Sequence, residues 1–139
     1  MAEILSNHAL KEYVINNFLE EILLEFPMLT AYIQNDQIAS VTFANSPRDG
    51  WNIFSEKEEY YLVDSEHGIK TIYERTQSLN EIINLALSRI ISDFAYYLAW
   101  KDVKYPINNE NGAITRLNHD ANKLEKYLWT RVKTLKGEK

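Results

Sequence analysis

Residues 51–75 read WNIFSEKEEYYLVDSEHGIKTIYER. Aromatic and β-branched residues recur here with a period of two between clusters of turn formers, which is the pattern of strands with one buried face. Trp51 and Ile53 open one strand, Tyr60 to Asp64 form a second and Ile69 to Glu74 a third, the last two joined by Ser65-Glu66-His67-Gly68. Upstream the same period reaches back to Leu29. Leu29, Ala31 and Ile33 alternate, Asn35-Asp36 offers a turn, and Val41 and Phe43 continue on another strand. Ser46-Pro47-Arg48-Asp49-Gly50 then supplies proline at a turn position and glycine for positive φ. An antiparallel sheet of four to five short strands is expected.

On both sides of this stretch the period changes to that of a helix. From about Asn7 to Phe26, Leu10, Val14, Phe18 and Ile22 repeat at four-residue steps, with Ser6 or Asn7 as cap and Pro27 as terminator. Downstream, Ser78-Leu79-Asn80-Glu81 has the capping-box form. Leu79, Ile82, Ile83, Ala86, Leu87, Ile90, Phe94, Tyr97 and Leu98 follow at steps of three and four, so this helix should be the most buried. Lys101 to Gly112, with Pro106 and three asparagines, reads as a loop. A last helix is expected from about Ala113 to Leu135, carrying Ile114, Leu117, Ala121, Leu124, Leu128, Val132 and Leu135 in a narrow stripe. The fold class is therefore α+β: an N-terminal helix, the sheet, and two long C-terminal helices packed on one sheet face.

With 139 residues, 45% hydrophobic and 25% charged, the chain fits one domain spanning residues 1–139 with ordinary globular composition. It has no cysteine, which removes disulfides, thiolate metal sites and cysteine nucleophiles. No run approaches eighteen uncharged apolar residues, and Met1 to Leu10 lacks the basic start of a signal peptide, so a cytoplasmic protein without a membrane partner is expected. The formal net charge of −5 argues against nucleic-acid binding by phosphate neutralisation. That charge is unevenly placed. Residues 1–74 carry thirteen acidic side chains against Lys11, Arg48, Lys57 and Lys70, for −9, while residues 75–139 carry eleven basic and seven acidic, for +4.

No arrangement of chemistry-bearing residues stands out. His8, His67 and His119 lie too far apart for a metal motif, and His119 and Asp120, adjacent on a helix, point about 100° apart. Serine nucleophile elbows, phosphate-cradling glycine loops and dinucleotide fingerprints are absent. No catalytic, cofactor-binding or metal residue is assigned, and the expectation is a protein that is not an enzyme. The acidic excess is densest on the third predicted hairpin, where Glu56, Glu58, Glu59, Asp64 and Glu66 interleave with Phe54, Tyr60 and Tyr61. Carboxylates beside aromatics on a sheet edge suit docking of a basic protein, because charge steers encounter and aromatic rings give contact area. The candidate partner-binding residues are therefore Phe54, Glu56, Glu58, Glu59, Tyr60, Asp64 and Glu66. The same charges equally well keep an edge strand soluble without any partner. Of the pair Tyr96-Tyr97, an outward Tyr96 joins Trp100 as a second candidate patch.

Tyr60-Tyr61-Leu62-Val63-Asp64-Ser65-Glu66-His67-Gly68, followed by Thr76-Gln77-Ser78-Leu79-Asn80-Glu81-Ile82-Ile83, resembles the central region of the immunity protein 63 family over roughly residues 58–99, with His67 where the family carries arginine. The resemblance implies a small cytoplasmic antidote encoded with a bacterial polymorphic or contact-dependent toxin. It would bind its cognate toxin domain, often a basic nuclease, and neutralise it stoichiometrically, with no catalytic residue of its own. The alternative is a small acidic protein-interaction or regulatory module without a toxin partner.

Overall fold

The computed structural model describes residues 4–101 and 110–132, with backbone alone over 110–119. The fold is α+β. Ser6 caps α1 (Asn7–Val14), its hydroxyl accepting from the Ala9 amide at 3.2 Å. The expected single helix is instead interrupted by a π-helical turn, Ile15–Leu19, before α2 (Glu20–Glu25). An α-helix repeats every 3.6 residues, so the four-residue steps of Leu10, Val14, Phe18 and Ile22 would rotate the apolar stripe by about 40° each. The wider turn absorbs that drift, and all four side chains reach the core. Pro27 then opens a 3-10 segment, Pro27–Tyr32. Leu29 and Ala31, expected on a strand, lie in this segment, and Tyr32 stacks on Tyr97 with ring centroids 4.1 Å apart.

Among the described residues six strands form one sheet in sequential order: β1 (Ile33–Gln34), β2 (Gln37–Ile38), β3 (Val41–Thr42), β4 (Gly50–Glu56), β5 (Glu59–Glu66) and β6 (Ile69–Thr76). The expected all-antiparallel sheet of four to five strands is corrected on both counts. β3 pairs with β4 in parallel, Val41 opposite Trp51. A parallel crossover ordinarily needs a dozen or more residues. Here residues 43–49 make the connection. This connection runs over the outer face of the sheet. Ser46 Oγ donates to Asn52 Oδ1 (2.8 Å), Asn52 Nδ2 donates to the Arg48 carbonyl (3.1 Å), and Asn45 bridges Glu56 on β4 and Lys70 on β6. It shields a small outer layer of Asn52, Phe54, Val63 and Ser65, all buried.

The inner face carries the main core. Ile53, Tyr60 and Leu62 meet Ile82, Ile83, Leu87, Ile90 and Phe94 of α3 (Leu79–Lys101). Tyr60 is buried inward and its hydroxyl accepts from the Leu5 amide (2.9 Å), while Tyr61 faces outward and stacks on Phe54 at 5.3 Å. The start of α3 is capped by a relay. Ser78 Oγ accepts from the Glu81 amide (3.1 Å), as a capping box requires, but Glu81 takes the Thr76 hydroxyl (2.7 Å), and Thr76 in turn accepts from the Ser78 amide (3.0 Å). By length and composition alone α3 could cross a membrane, yet half of its most apolar window is buried in the fold, as in any core helix.

α4 (Glu110–Arg131) packs chiefly against α3 and touches α2, while α3 contacts β3, β5 and β6. Leu128 and Val132 bring α4 into the core. Most of the expected loop, residues 102–109, and the expected helix end beyond residue 132 lie outside the described residues.

Candidate functional site

The acidic hairpin is present, but its carboxylates do not share one surface. Register places Glu56 opposite Glu59 on the outer face beside the turn Lys57-Glu58, where Glu56 accepts from Asn45 Nδ2 (3.0 Å) and Glu59 from the Tyr61 hydroxyl (3.3 Å). Asp64 and Glu66 lie on the inner face at the far end of β5, opposite Thr71 and Ile69. Glu56, Glu58, Asp64 and Glu66 are exposed and Glu59 is half-buried. Phe54 and Tyr60 are not available to a partner, being 5% and 0% exposed, and both are withdrawn as contact residues. The adjacent strand supplies what they do not. β6 is the outer edge of the sheet and exposes Ile69, Ile72 and Tyr73 at 71%, 55% and 60%.

A bulge explains how β6 exposes so much. Leu62 pairs with Glu74 but Val63 pairs with Ile72, leaving Tyr73 as the extra residue. Tyr73 swings onto the inner face and meets Trp51 edge-on, centroids 5.4 Å apart. The guanidinium of Arg89, from α3, lies 4.2 Å above the Trp51 ring and 5.5 Å from Tyr73. Arg89 Nη1 donates to the Leu85 carbonyl (3.0 Å), and its Nε is shielded without a hydrogen-bond partner. Beside this cluster a groove of about 390 Å³ is lined by Ser40, Trp51, Ser88, Arg89, Ser92 and Asp93. Asp93 accepts from the amide of Ser40 (3.1 Å) and from its hydroxyl. Burial pushes the Tyr97 phenol above its ordinary range, and Asp93 and Tyr32 beside it act in the same direction.

The residues assembled here are recognition types: tryptophan, tyrosine and arginine are the side chains on which interface energy concentrates. Sequence reading missed the cluster because Trp51, Tyr73 and Arg89 are joined only by the bulge and by the way α3 crosses the sheet. The second candidate patch has its rings as expected, Tyr96 and Trp100 lying exposed and stacked with nearly parallel planes and centroids 6.4 Å apart. His8 and His67 are exposed, 67 being the first residue of a turn at φ 53°, and the side chain of His119 lies outside the described residues. Among the described residues no three histidine or carboxylate side chains converge in a way that could hold a metal ion. No family model, no curated protein and no solved structure matches this chain.

Proposed function

We propose that the chain acts by binding another protein, as an immunity protein that neutralises a cognate bacterial toxin domain one to one in the cytoplasm of the producing cell. The observation that carries this reading is the β6 edge. An edge strand of eight residues that exposes two isoleucines and a tyrosine is a liability to a free protein and an asset to one with a partner. Trp51, Tyr73 and Arg89 give that edge an aromatic centre, and the exposed carboxylates Asp64 and Glu66 on the same face, with Glu56 and Glu58 at the opposite end of the hairpin, suit a basic partner. The toxin comes from the resemblance of residues 58–99 to the immunity protein 63 family.

The test is co-expression with the toxin domain encoded beside this gene, followed by association kinetics at two salt concentrations. The parent chain should restore growth and bind. Ile69→Asp and Tyr73→Ala should each weaken binding by about 2 kcal/mol if the edge is a hot spot. Glu56→Lys, Glu58→Lys and Glu59→Lys together should slow association and reduce its salt dependence. Full protection by a chain carrying both edge substitutions would overturn the placement. Binding of a neighbouring gene product without rescue from a toxin would favour the interaction-module reading instead.

A further inference from the structure

Arg89 and Asp93 stand one turn apart on α3, a spacing at which opposite charges ordinarily pair. Here they do not. Arg89 is drawn onto Trp51 and the Leu85 carbonyl, and Asp93 is drawn onto Ser40. Among the described residues no carboxylate comes within ion-pair distance of Arg89, and of its five donors one is used. The hydroxyls of Ser88 and Ser92 line the same groove and make no hydrogen bond to the protein. The groove thus holds a cation at one end and a carboxylate at the other, about 6 Å apart along the helix axis, each with unused hydrogen-bonding capacity.

We infer that this groove binds a small zwitterion, an aromatic α-amino acid. Its carboxylate lies against the free donors of Arg89 and its ammonium against Asp93 and the serine hydroxyls. The side chain rests on Tyr73, which is exposed beside the cluster. A half-buried guanidinium without a counter-ion favours an anionic group, and a planar fork favours a carboxylate that accepts two parallel bonds. Asp93, with Asp64 facing from β5 across Trp51, disfavours a multiply charged anion such as phosphate and favours a ligand that brings its own positive charge. The inference shares Trp51, Tyr73 and Arg89 with the proposed docking edge but does not rest on the toxin reading, because its test follows a small ligand on the chain alone.

The experiment uses the full ¹⁵N-labelled chain and three matched probes. These are L-phenylalanine, 3-phenylpropionate, which lacks the amino group, and phenethylamine, which lacks the carboxylate. The side-chain N–H signals of Arg89 and Trp51 are followed during titration, with sodium chloride as the ionic-strength control. L-Phenylalanine should give a saturable shift at about tenfold or more lower concentration than either partial probe, since each missing charge forfeits a charge-assisted hydrogen bond. Asp93→Asn keeps an acceptor for Ser40 and should bring L-phenylalanine to the level of 3-phenylpropionate. Arg89→Gln removes the cation and should bring it to the level of phenethylamine. Equal affinity for the three probes, shifts that grow linearly with added salt, or a preference unchanged in both variants would overturn the inference. The comparison of probes on the parent chain decides the matter even if a variant fails to fold.

Discussion

Lys57 and Glu58 turn the β4–β5 hairpin at φ 50° and 67°, the left-handed region where side chains with a Cβ are strained. Asparagine and glycine are the usual occupants of such a two-residue turn. Glu58→Gly should therefore raise stability by about 1 kcal/mol, read as a higher melting temperature, even as it removes an exposed carboxylate from the hairpin. A lower melting temperature would mean that Glu58 makes a stabilising contact. Phe94 is fully buried between α3 and the sheet, and Phe94→Ala should cost about 3–5 kcal/mol by denaturant unfolding. A loss below about 1 kcal/mol, the size of a surface effect, would contradict its place in the core. His8, His67 and His119 replaced together by glutamine should leave partner protection intact, because His8 and His67 are exposed and no metal-holding group is formed among the described residues. Loss of protection in a variant that still melts normally would give one of them a chemical role.

Among the elements, β6 is shaped by one inserted residue. The bulge at Tyr73 twists the edge and breaks the flat array of amides and carbonyls that a second copy would pair with. Deleting Tyr73 should restore regular pairing to Val63 and produce concentration-dependent self-association by light scattering; a variant that stays monomeric would show that the edge is protected by charge instead. How well each element is legible in the sequence follows from its length and from how local its determinants are. α3 is read with its start and face, because twenty-three residues at one period leave little ambiguity. Gly50 is read with its positive φ, observed at 103°, because a turn of proline and glycine is local chemistry. β1, β2 and β3 hold two residues each, too few for any period, and β3 pairs in parallel with β4, with Asn45, Ser46 and Arg48 contacting β4 and Asn45 also reaching β6. The carboxylates of the hairpin are visible as composition, but alternation along β5 divides them between two faces. Phe54 is read as a contact residue because nothing in the sequence says that residues 43–49 lie over it.

At the level of the whole molecule, α2 and α4 are joined by polar contacts. Tyr127 donates to Glu25, with both carboxylate oxygens within 2.7 Å, and Arg131 reaches Glu25 at 3.1 Å and Glu21 at 3.5 Å. The hydrogen bond to Glu25 holds the Tyr127 phenol above its ordinary range. A phenol whose pKa is raised on folding contributes stability that is complete below its unfolded value, about 10, and is lost as pH rises through the folded value. The parent should therefore lose more stability than Tyr127→Phe between neutral and strongly alkaline pH. Equal losses in denaturant midpoint would remove this contact from the alkaline response. The same contact spans 102 residues of sequence, from α2, made early, to α4, made late. A ribosome delivers the chain in that order. While synthesis continues, the nascent protein can pair its strands and lay α3 on them, but α2 waits without its partner helix. Delivery of α4, and not the earlier collapse, sets the moment at which this contact can form.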